Sequence, residues 1–338
     1  MRHVYQQGPS RRTMLRAVAT AGTTAALGAA GLFAAGTARA ATTTASGNQA
    51  LPYPPGVTDT SHCTPEVAEL FRGFFTAKSQ HDIPTVMSYF STANTTYIDA
   101  ILGIPLYGWQ AVNTEFSTFA SLSADAISYP LRIVGGTRSA AIEFVDTPAF
   151  FFGKELRSPS TVTFDSDHKI IRWVDYWDGR SSLYPNTIAG TYPADFKDSE
   201  QNADPAAVQA PGALQATFAA GDAAAAVALM SADVVHEDLA AHTRVRGQLQ
   251  AQRYYTRALG QLPFGPGAAL VHAEGSRQGG GYEWSAAPDA APMRRGHTCI
   301  ELDEAGKISR LTAIYDSSLL SYPAYQSLAG LAAEAPLS

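Results

Sequence analysis

Cysteines, metal-ligand clusters and nucleotide-binding motifs are scarce or missing in this chain, and each absence excludes a class of site. The two cysteines, Cys63 and Cys299, are too far apart in sequence to form a local metal-binding knuckle. The eight histidines show no metal-ligand spacing. The glycine-rich "GSRQGGG" (275–281) lies in a hairpin context rather than in a phosphate loop, and no Ser/His/Asp signature occurs. We therefore expect no metal and no organic cofactor.

Long, strongly apolar runs are missing as well, although the N-terminus has the features of an export signal in the right order. Two adjacent arginines in "SRRTMLR" (10–16) precede an uncharged stretch rich in Ala, Gly, Thr and Leu, and "ARA" (38–40) follows as a small-residue cleavage site. This order resembles a twin-arginine signal peptide over residues 1–40 and predicts export to the cell envelope or the extracellular space. The alternative is a basic, disordered start with an Ala-rich helix. The stretch is too short and too weakly apolar for a good membrane span.

Basic residues are in short supply. The whole chain has 24 Lys and Arg against 30 Asp and Glu. Removal of residues 1–40 takes away five arginines and no acid, which leaves 19 basic side chains and a formal charge of −11. Nucleic acids and anionic membranes both attract a basic surface. We therefore expect neither as a partner.

The two cysteines leave one covalent question open. An oxidising compartment would permit a disulfide between Cys63 and Cys299, and this bridge would join the two halves of the chain. The alternative is two unpaired thiols, because a sequence does not determine the distance between two Cα atoms.

A phrase near the middle of the chain recurs near its end. "IIRWVDYWDGRSSLYP" (170–185) and "ISRLTAIYDSSLLSYP" (308–323) agree at five of sixteen positions, and the agreement continues upstream, where Asp99 aligns with Asp238 and Gly108 with Gly247. The offset stays near 140 residues, a period typical of duplicated domains rather than of a solenoid. The predicted organisation is a flexible segment at 41–63, domain 1 at 64–188, a linker at 189–205, domain 2 at 206–328 and a tail at 329–338.

Each copy has the pattern of helices followed by strands. In the first copy, Thr64 and Pro65 predict a helix start, and Phe71, Phe74 and Phe75 follow at helical spacing. The remaining pattern predicts helices at 84–90 and 109–120, a strand ending at Asp99, and strands at 128–135, 139–151, 157–165 and 169–178. Helices first and an antiparallel meander afterwards indicate the α+β class.

Four short motifs in the first copy resemble the limonene-epoxide hydrolases: "YID" (97–99), "IPLYG" (104–108), "EFVD" (143–146) and "WVDYWD" (173–178). With the order of elements, they resemble the NTF2-like fold, which also includes ketosteroid isomerases and SnoaL-like polyketide cyclases. The resemblance implies two tandem cone-shaped domains, each with helices packed on a curved antiparallel sheet. A fold of this kind hosts enzymes and binding domains alike.

The resemblance also implies roles for two carboxylates. Asp175 occupies the position of the catalytic Asp in the hydrolases, and Asp99 occupies the position of the base in the isomerases and cyclases. Two departures weaken the hydrolase reading: Phe144 replaces an Arg that bridges two acids, and Asp99 replaces an Asn. A single-base proton transfer requires fewer catalytic groups than epoxide hydrolysis does. Asp99 or Asp175 would be the base, and Tyr97 would donate to a developing oxyanion.

Strand alternation supports the same residues independently, because side chains two positions apart share a face. This places Tyr97 with Asp99, Phe144 with Asp146, and Trp173 with Asp175 and Trp177. The candidate catalytic residues are Tyr97, Asp99, Asp146 and Asp175, and the candidate ligand-binding residues are Phe144, Trp173, Trp177 and Tyr107.

Structural readings of these residues remain open. Asp99 at a strand end is often only a turn residue or cap, and its recurrence as Asp238 fits a shared structural role equally well. Trp173 and Trp177 are core residues more often than ligand platforms. Asp178 and Asp316 also recur, and we interpret them as caps where the chain leaves the sheet.

The second copy has fewer acids. Trp284 and Ala286 take the places of Phe144 and Asp146, and Ala313 takes the place of Asp175. The leading hypothesis is an exported enzyme that acts on a small apolar molecule in the first copy, with the two copies paired as an intramolecular pseudo-dimer. The alternative is a non-catalytic protein that binds a small ligand.

Overall fold

The computed structural model describes residues 51–150, 153–181, 205–290 and 292–333. The signal peptide, the predicted linker up to 204 and the Tyr-Pro end of the first repeated phrase lie outside the described residues. Residues from Tyr53 on belong to one compact unit. We call the described elements up to Ser181 the first half and those from Pro205 the second half.

The first half has three helices and seven strands within its described ranges. The helices are α1 (Pro65–Ser79), α2 (Ile83–Ser88) and α3 (Trp109–Phe116). The strands are β1 (Asp59–Cys63), β2 (Thr96–Asp99), β3 (Ile104–Tyr107), β4 (Ser128–Gly135), β5 (Ser139–Asp146), β6 (Leu156–Phe164) and β7 (Ile170–Asp175).

The second half repeats this order without a counterpart of β1 among its described residues. The helices are α4 (Pro205–Ala219), α5 (Ala223–Ala228) and α6 (Gln248–Ala258), and α7 (Tyr322–Gly330) follows the sheet. The strands are β8 (Met230–Asp238), β9 (Thr243–Arg246), β10 (Ala269–Ser276), β11 (Gly279–Ser285), β12 (Arg295–Leu302) and β13 (Ile308–Tyr315).

Each half contributes one sheet, and the α+β class is confirmed. The first sheet has the order β1-β4-β5-β6-β7-β2-β3, and the second has the order β10-β11-β12-β13-β8-β9. The meander from β4 to β7 is antiparallel, but β2 runs parallel to β7 and β1 runs parallel to β4. The sheets are therefore mixed rather than purely antiparallel as predicted.

Several element boundaries differ from the sequence prediction. Strand β5 ends at Asp146 rather than at 151, because Thr147 and Pro148 follow and a proline cannot donate to the ladder. Helix α3 ends at Phe116 and continues as a 3₁₀ turn. Residues 59–63, predicted to be flexible, form the edge strand β1 instead, which pairs with β4 and has a register shift between Asp59 and His62.

The repeated glycine has a backbone reason. Gly108 and Gly247 are the N-caps of α3 and α6, with φ of 85° and 83°. A residue with a side chain is strained at such a positive φ. The same turn therefore requires glycine in both copies.

Helix α1 packs its aromatic stripe against one face of the first sheet. The rings of Phe74 and Trp173 are stacked with centroids 5.0 Å apart, and those of Phe75 and Phe144 are 5.3 Å apart. We call this face of the first sheet, with the helices that cover it, the first cup, and the corresponding part of the second half the second cup.

The opposite faces of the two sheets meet each other. Arg172 on β7 is fully buried there, and its guanidinium donates to Glu283 on β11 at 2.6 Å. Glu283 also accepts from Thr161 at 3.0 Å and from the Tyr176 hydroxyl at 2.9 Å. Buried polar groups need such partners, so this network fixes how the strands of one sheet lie over the other.

Cys63 and Cys299 are buried, and neither is in a disulfide, which agrees with the reading of two unpaired thiols. Among the residues that the structure describes, no helix has both the length and the apolar character needed to cross a membrane.

Candidate functional site in the first cup

The parallel register of β2 and β7 brings the first two carboxylates together. Tyr97 lies opposite Trp173, and Asp99 lies opposite Asp175. Residues opposite each other on neighbouring strands are the closest side-chain neighbours in a sheet. Strand alternation predicts that Tyr97 and Asp99 share one face of β2 and that Trp173 and Asp175 share one face of β7. The register of the two strands brings these four side chains together into one cluster.

Asp175 is the most enclosed member of this cluster. Its Oδ1 accepts hydrogen bonds from the Ser160 hydroxyl at 2.5 Å and from the Trp173 indole, and its Oδ2 accepts one from the Tyr97 hydroxyl. Burial raises the pKa of Asp175, while these donors and the ammonium of Lys78 act in the opposite direction. The carboxylate is thus held in one orientation by three side chains.

Tyr97 is half-buried and donates to Asp175. Burial raises its pKa well above the ordinary value, and the nearby negative charge of Asp175 adds to the effect. The phenol therefore keeps its proton at neutral pH, and its hydroxyl is oriented by Asp175.

Asp99 combines a structural contact with an unusual acidity. Its Oδ1 accepts from the backbone N–H groups of Ile101 at 3.0 Å and Leu102 at 2.8 Å, and the Trp177 indole donates to its Oδ2 at 3.1 Å. Burial, reinforced by the charge of Asp175, raises the pKa of Asp99 to about 7 despite these donors. Asp99 is half-buried, so solvent reaches part of it.

Asp146 meets a residue that the sequence analysis missed. The Lys78 ammonium, on α1, lies 3.0 Å from Asp146 Oδ1, and both residues are buried. A signal for Lys78 was present, since it follows Phe71, Phe74 and Phe75 at helical spacing on the apolar stripe. Ser160 was also missed, because its hydroxyl becomes relevant only through the pairing of β6 with β7.

The aromatic residues form the walls of this cluster. The Trp173 ring centroid is 6.2 Å from that of Phe144 and 6.4 Å from that of Tyr97. Trp177 is buried and lies at the Asp99 end through its indole hydrogen bond. Phe144, Trp173 and Trp177 are therefore placed beside the carboxylates.

Tyr107 is the one predicted ligand-binding residue that the structure does not bring into the cup. It pairs with Thr96, so it lies on the face of the sheet opposite to that of Tyr97. It is also 45% exposed. The chain reverses between β2 and β3, and the register of this reversal decides which face Tyr107 occupies.

The second cup has different chemistry at equivalent positions. His236 stands where the first cup has Tyr97, and its Nδ1 lies 2.9 Å from the Tyr255 hydroxyl. Burial lowers the pKa of His236 to about 3. Asp238 accepts from the Ala241 N–H at 2.8 Å and from the Tyr315 hydroxyl at 3.1 Å, and burial raises its pKa to about 6.

The titratable groups of the first cup are three carboxylates, a phenol and an ammonium, and all of these can exchange or orient protons. Within the described ranges, no three His, Cys, Asp or Glu side chains are grouped so that they could hold a metal ion.

No protein-family model and no curated protein matches the chain. Among solved structures, it is similar to an NTF2-like protein of unknown function from Burkholderia xenovorans, with 20% identity and a TM-score of 0.28 over 36% of this chain and 91% of that one. A SnoaL-like protein of unknown function from Burkholderia thailandensis shows 15% identity and a TM-score of 0.30 over 34% of this chain and 98% of that one. A steroid delta-isomerase from Pseudomonas aeruginosa shows 16% identity and a TM-score of 0.31 over 39% of this chain and 93% of that one. NTF2-like and SnoaL-like proteins, which the sequence motifs resemble, are thus also among the solved structures similar to this chain.

Proposed function

We propose that this chain is an exported SnoaL-like enzyme that performs cofactor-free acid–base chemistry, of isomerase, cyclase or epoxide-hydrolase type, on a small apolar molecule. The observation that carries the proposal is the pairing of Asp99 with Asp175 across β2 and β7, next to Tyr97 and the aromatic wall. Neighbouring carboxylates with different environments are suited to separate acid and base roles.

The proposal gives the two carboxylates different roles. Asp99 is half-buried and has a pKa of about 7, which suits a group that takes and returns a proton near neutral pH. Asp175 is buried and uses both oxygens to hold Tyr97, Trp173 and Ser160. It keeps the Tyr97 hydroxyl in place and adds the negative charge that helps to raise the pKa of Asp99.

The proposal places this chemistry in the first cup alone. Ala313 in the second cup has no titratable group where the first cup has Asp175, and it leaves Asp238 without a facing acid. We propose that domain 2 (206–328) serves as the partner of domain 1 (64–188) in an intramolecular pseudo-dimer. The Arg172–Glu283 network between the two sheets supports this pairing.

A non-catalytic binding protein is the second candidate, and one observation favours it. Asp99 and Asp238 both accept backbone N–H groups of the turn that follows their strand. This shared role explains the recurrence of the aspartate without any catalysis. The aromatic wall could then hold an apolar ligand that leaves unchanged.

Turnover and melting temperature of the wild type, Asp99→Asn, Asp175→Asn and Asp238→Asn test the proposal against a panel of apolar ketones, terpenoid epoxides and polyketide-like substrates. Asp99→Asn removes the base and should lower the rate by about 10²–10⁴. Asp175→Asn should lower the rate as well, because it removes the carboxylate that orients the Tyr97 hydroxyl. Asp238→Asn should change mainly the stability. Equal losses of turnover with unchanged melting would contradict the assignment to the first cup. Ligand binding without turnover in any variant would favour the binding protein.

A further inference from the structure

We propose that Lys78 donates a hydrogen bond to a carbonyl oxygen of the ligand in the first cup. This inference rests on the proposed function, because it names the oxygen chemistry of the molecule that the same site would accept. The Lys78 ammonium is buried, and its hydrogen-bonding capacity is only partly used.

Lys78 Nζ has one hydrogen-bond acceptor among the described residues, Asp146 Oδ1 at 3.0 Å. An ammonium carries three donors. Its other neighbours are aromatic faces, with Nζ 4.6 Å from the ring centroid of Phe144 and 5.0 Å from that of Phe150. A buried donor without an acceptor is costly, so an oxygen atom supplied by a ligand would be favoured at this place.

The charge of the site selects a neutral oxygen rather than an anion. Asp146 already neutralises the Lys78 ammonium. Asp175 adds a further carboxylate, which is close enough for the ammonium to act against the rise in its pKa that burial causes. A ligand that entered as an anion would face these carboxylates. A carbonyl group enters neutral and develops negative charge on oxygen only when a neighbouring carbon loses a proton.

The same charges suit a balanced proton transfer. The carboxylate of Asp99 takes a proton from the carbon next to the carbonyl, and the C–H electron pair becomes a C=C bond. The carbonyl π pair moves to oxygen, where a Lys78 N–H stabilises the enolate. Where the ligand also carries a C=C bond conjugated with the enolate, the electron pair shifts to the far carbon of that bond, which takes the proton back from Asp99, and this completes an isomerisation that needs no co-reactant.

The second half shows that the fold does not depend on the pair of Lys78 and Asp146. The two halves are offset by 140 residues here, since His81 and Gly221 occupy the same left-handed turn after α1 and α4. Phe218 therefore stands in the place of Lys78, and Ala286 stands in the place of Asp146. Both partners are replaced together in the half that we propose to be inactive.

Two probes of similar shape test the inference, 2-acetylnaphthalene and 2-isopropylnaphthalene, which differ in the carbonyl oxygen. Their dissociation constants are measured by quenching of tryptophan fluorescence, and the C=O stretch of the bound ketone is measured by infrared difference spectroscopy. The wild type should prefer the ketone by about tenfold or more, as a hydrogen bond to a charged group allows, and the stretch should shift to lower frequency. Lys78→Met should bring the preference close to one and abolish the shift, whereas the surface variant Lys307→Met should retain both.

Three results would overturn the inference: wild type that binds both probes equally, wild type that binds neither, or a ketone preference unchanged in Lys78→Met. If Lys78→Met does not fold, Asp146→Asn takes its place. Loss of the counterion should then increase the affinity for 2-naphthoate at least tenfold over wild type, and an unchanged affinity would count against the inference. Turnover without ketone preference would overturn this inference but not the proposed function. Ketone preference without turnover of any substrate would count against the proposed function but not against this inference.

Discussion

Asp178 and Asp316 cap each other's chain segments across the two halves. Asp178 Oδ1 accepts from the backbone N–H of Ser317 at 2.9 Å, and Asp316 Oδ1 accepts from the backbone N–H of Gly179 at 3.0 Å. Each carboxylate thus binds the residue that follows the other aspartate. Contacts of this reciprocal kind are characteristic of a two-fold interface, and they fit the intramolecular pseudo-dimer that we propose. The sequence analysis predicted caps at these residues but not their exchange.

Removal of either cap should destabilise the protein. Asp178→Ala and Asp316→Ala should each lower the free energy of unfolding by about 1–3 kcal/mol, because a buried N–H group loses its acceptor. Urea denaturation monitored by circular dichroism measures this change. Asp167→Ala provides the control, since Asp167 is exposed and its variant should stay within about 0.5 kcal/mol of the wild type. Variants of Asp178 and Asp316 that behave like the control would show that the exchanged caps contribute nothing.

The Arg172–Glu283 ion pair should respond more strongly to the loss of one partner than to the loss of both charges. Arg172→Met removes the guanidinium 2.6 Å from the buried carboxylate of Glu283 and should cost about 3–5 kcal/mol of stability. The double variant Arg172→Met with Glu283→Gln should recover part of this loss, because it also removes the buried negative charge that Arg172 balanced. Denaturation midpoints of the single and double variants measure the difference. A double variant less stable than Arg172→Met would contradict this account.

The acidity of Asp99 predicts how stability and turnover depend on pH. Its pKa is about 7 in the folded chain against an ordinary value of 3.8, so the folded state holds a proton that the unfolded state releases. This contribution to stability is fully present below pH 3.8 and is lost as the pH rises through about 7. Asp99→Asn should reduce the decline in urea midpoint between pH 5 and pH 7.5, and Asp167→Asn should not.

Turnover should change with pH in the opposite sense. A general base must be ionised, so the rate of the wild type should rise with pH and level off above about 7. Asp99→Asn should remove this limb of the profile together with most of the activity. A wild-type rate that is constant between pH 5 and pH 8 would exclude Asp99 as the base.

The second cup is filled by Trp284 in a way that requires glycine on the next strand. A Cβ added at Gly296 would overlap the Trp284 ring and the carbonyl oxygen of Ile314. Gly296→Ala should therefore lower the free energy of unfolding by about 1–3 kcal/mol, as expected of overpacking. Gly260→Ala is the matched control, because an added Cβ there meets nothing within 4 Å. Thermal melts measure the difference, and equal melting temperatures for the two variants would contradict the packing argument.

The sequence by itself determined the features that depend on local periodicity and on single-residue geometry. Strand β4 was predicted at 128–135 and lies there, and α1 begins after Thr64 with Pro65 in its first turn. Gly108 recurs because one turn needs a positive φ. Alternation also placed Tyr97 with Asp99 and Trp173 with Asp175, because the period of a strand is a property of the strand alone.

Only the tertiary structure decided which of these faces meet and what else reaches them. Lys78 is 68 residues from Asp146 along the chain, and no local pattern specifies this distant partner. The parallel register of β2 and β7 places Asp99 beside Asp175, and the β2–β3 pairing places Tyr107 on the other face. Strand register and helix docking are set by the packing of the whole half. Most residues of the cluster could therefore be predicted from the sequence, but their positions relative to one another could not.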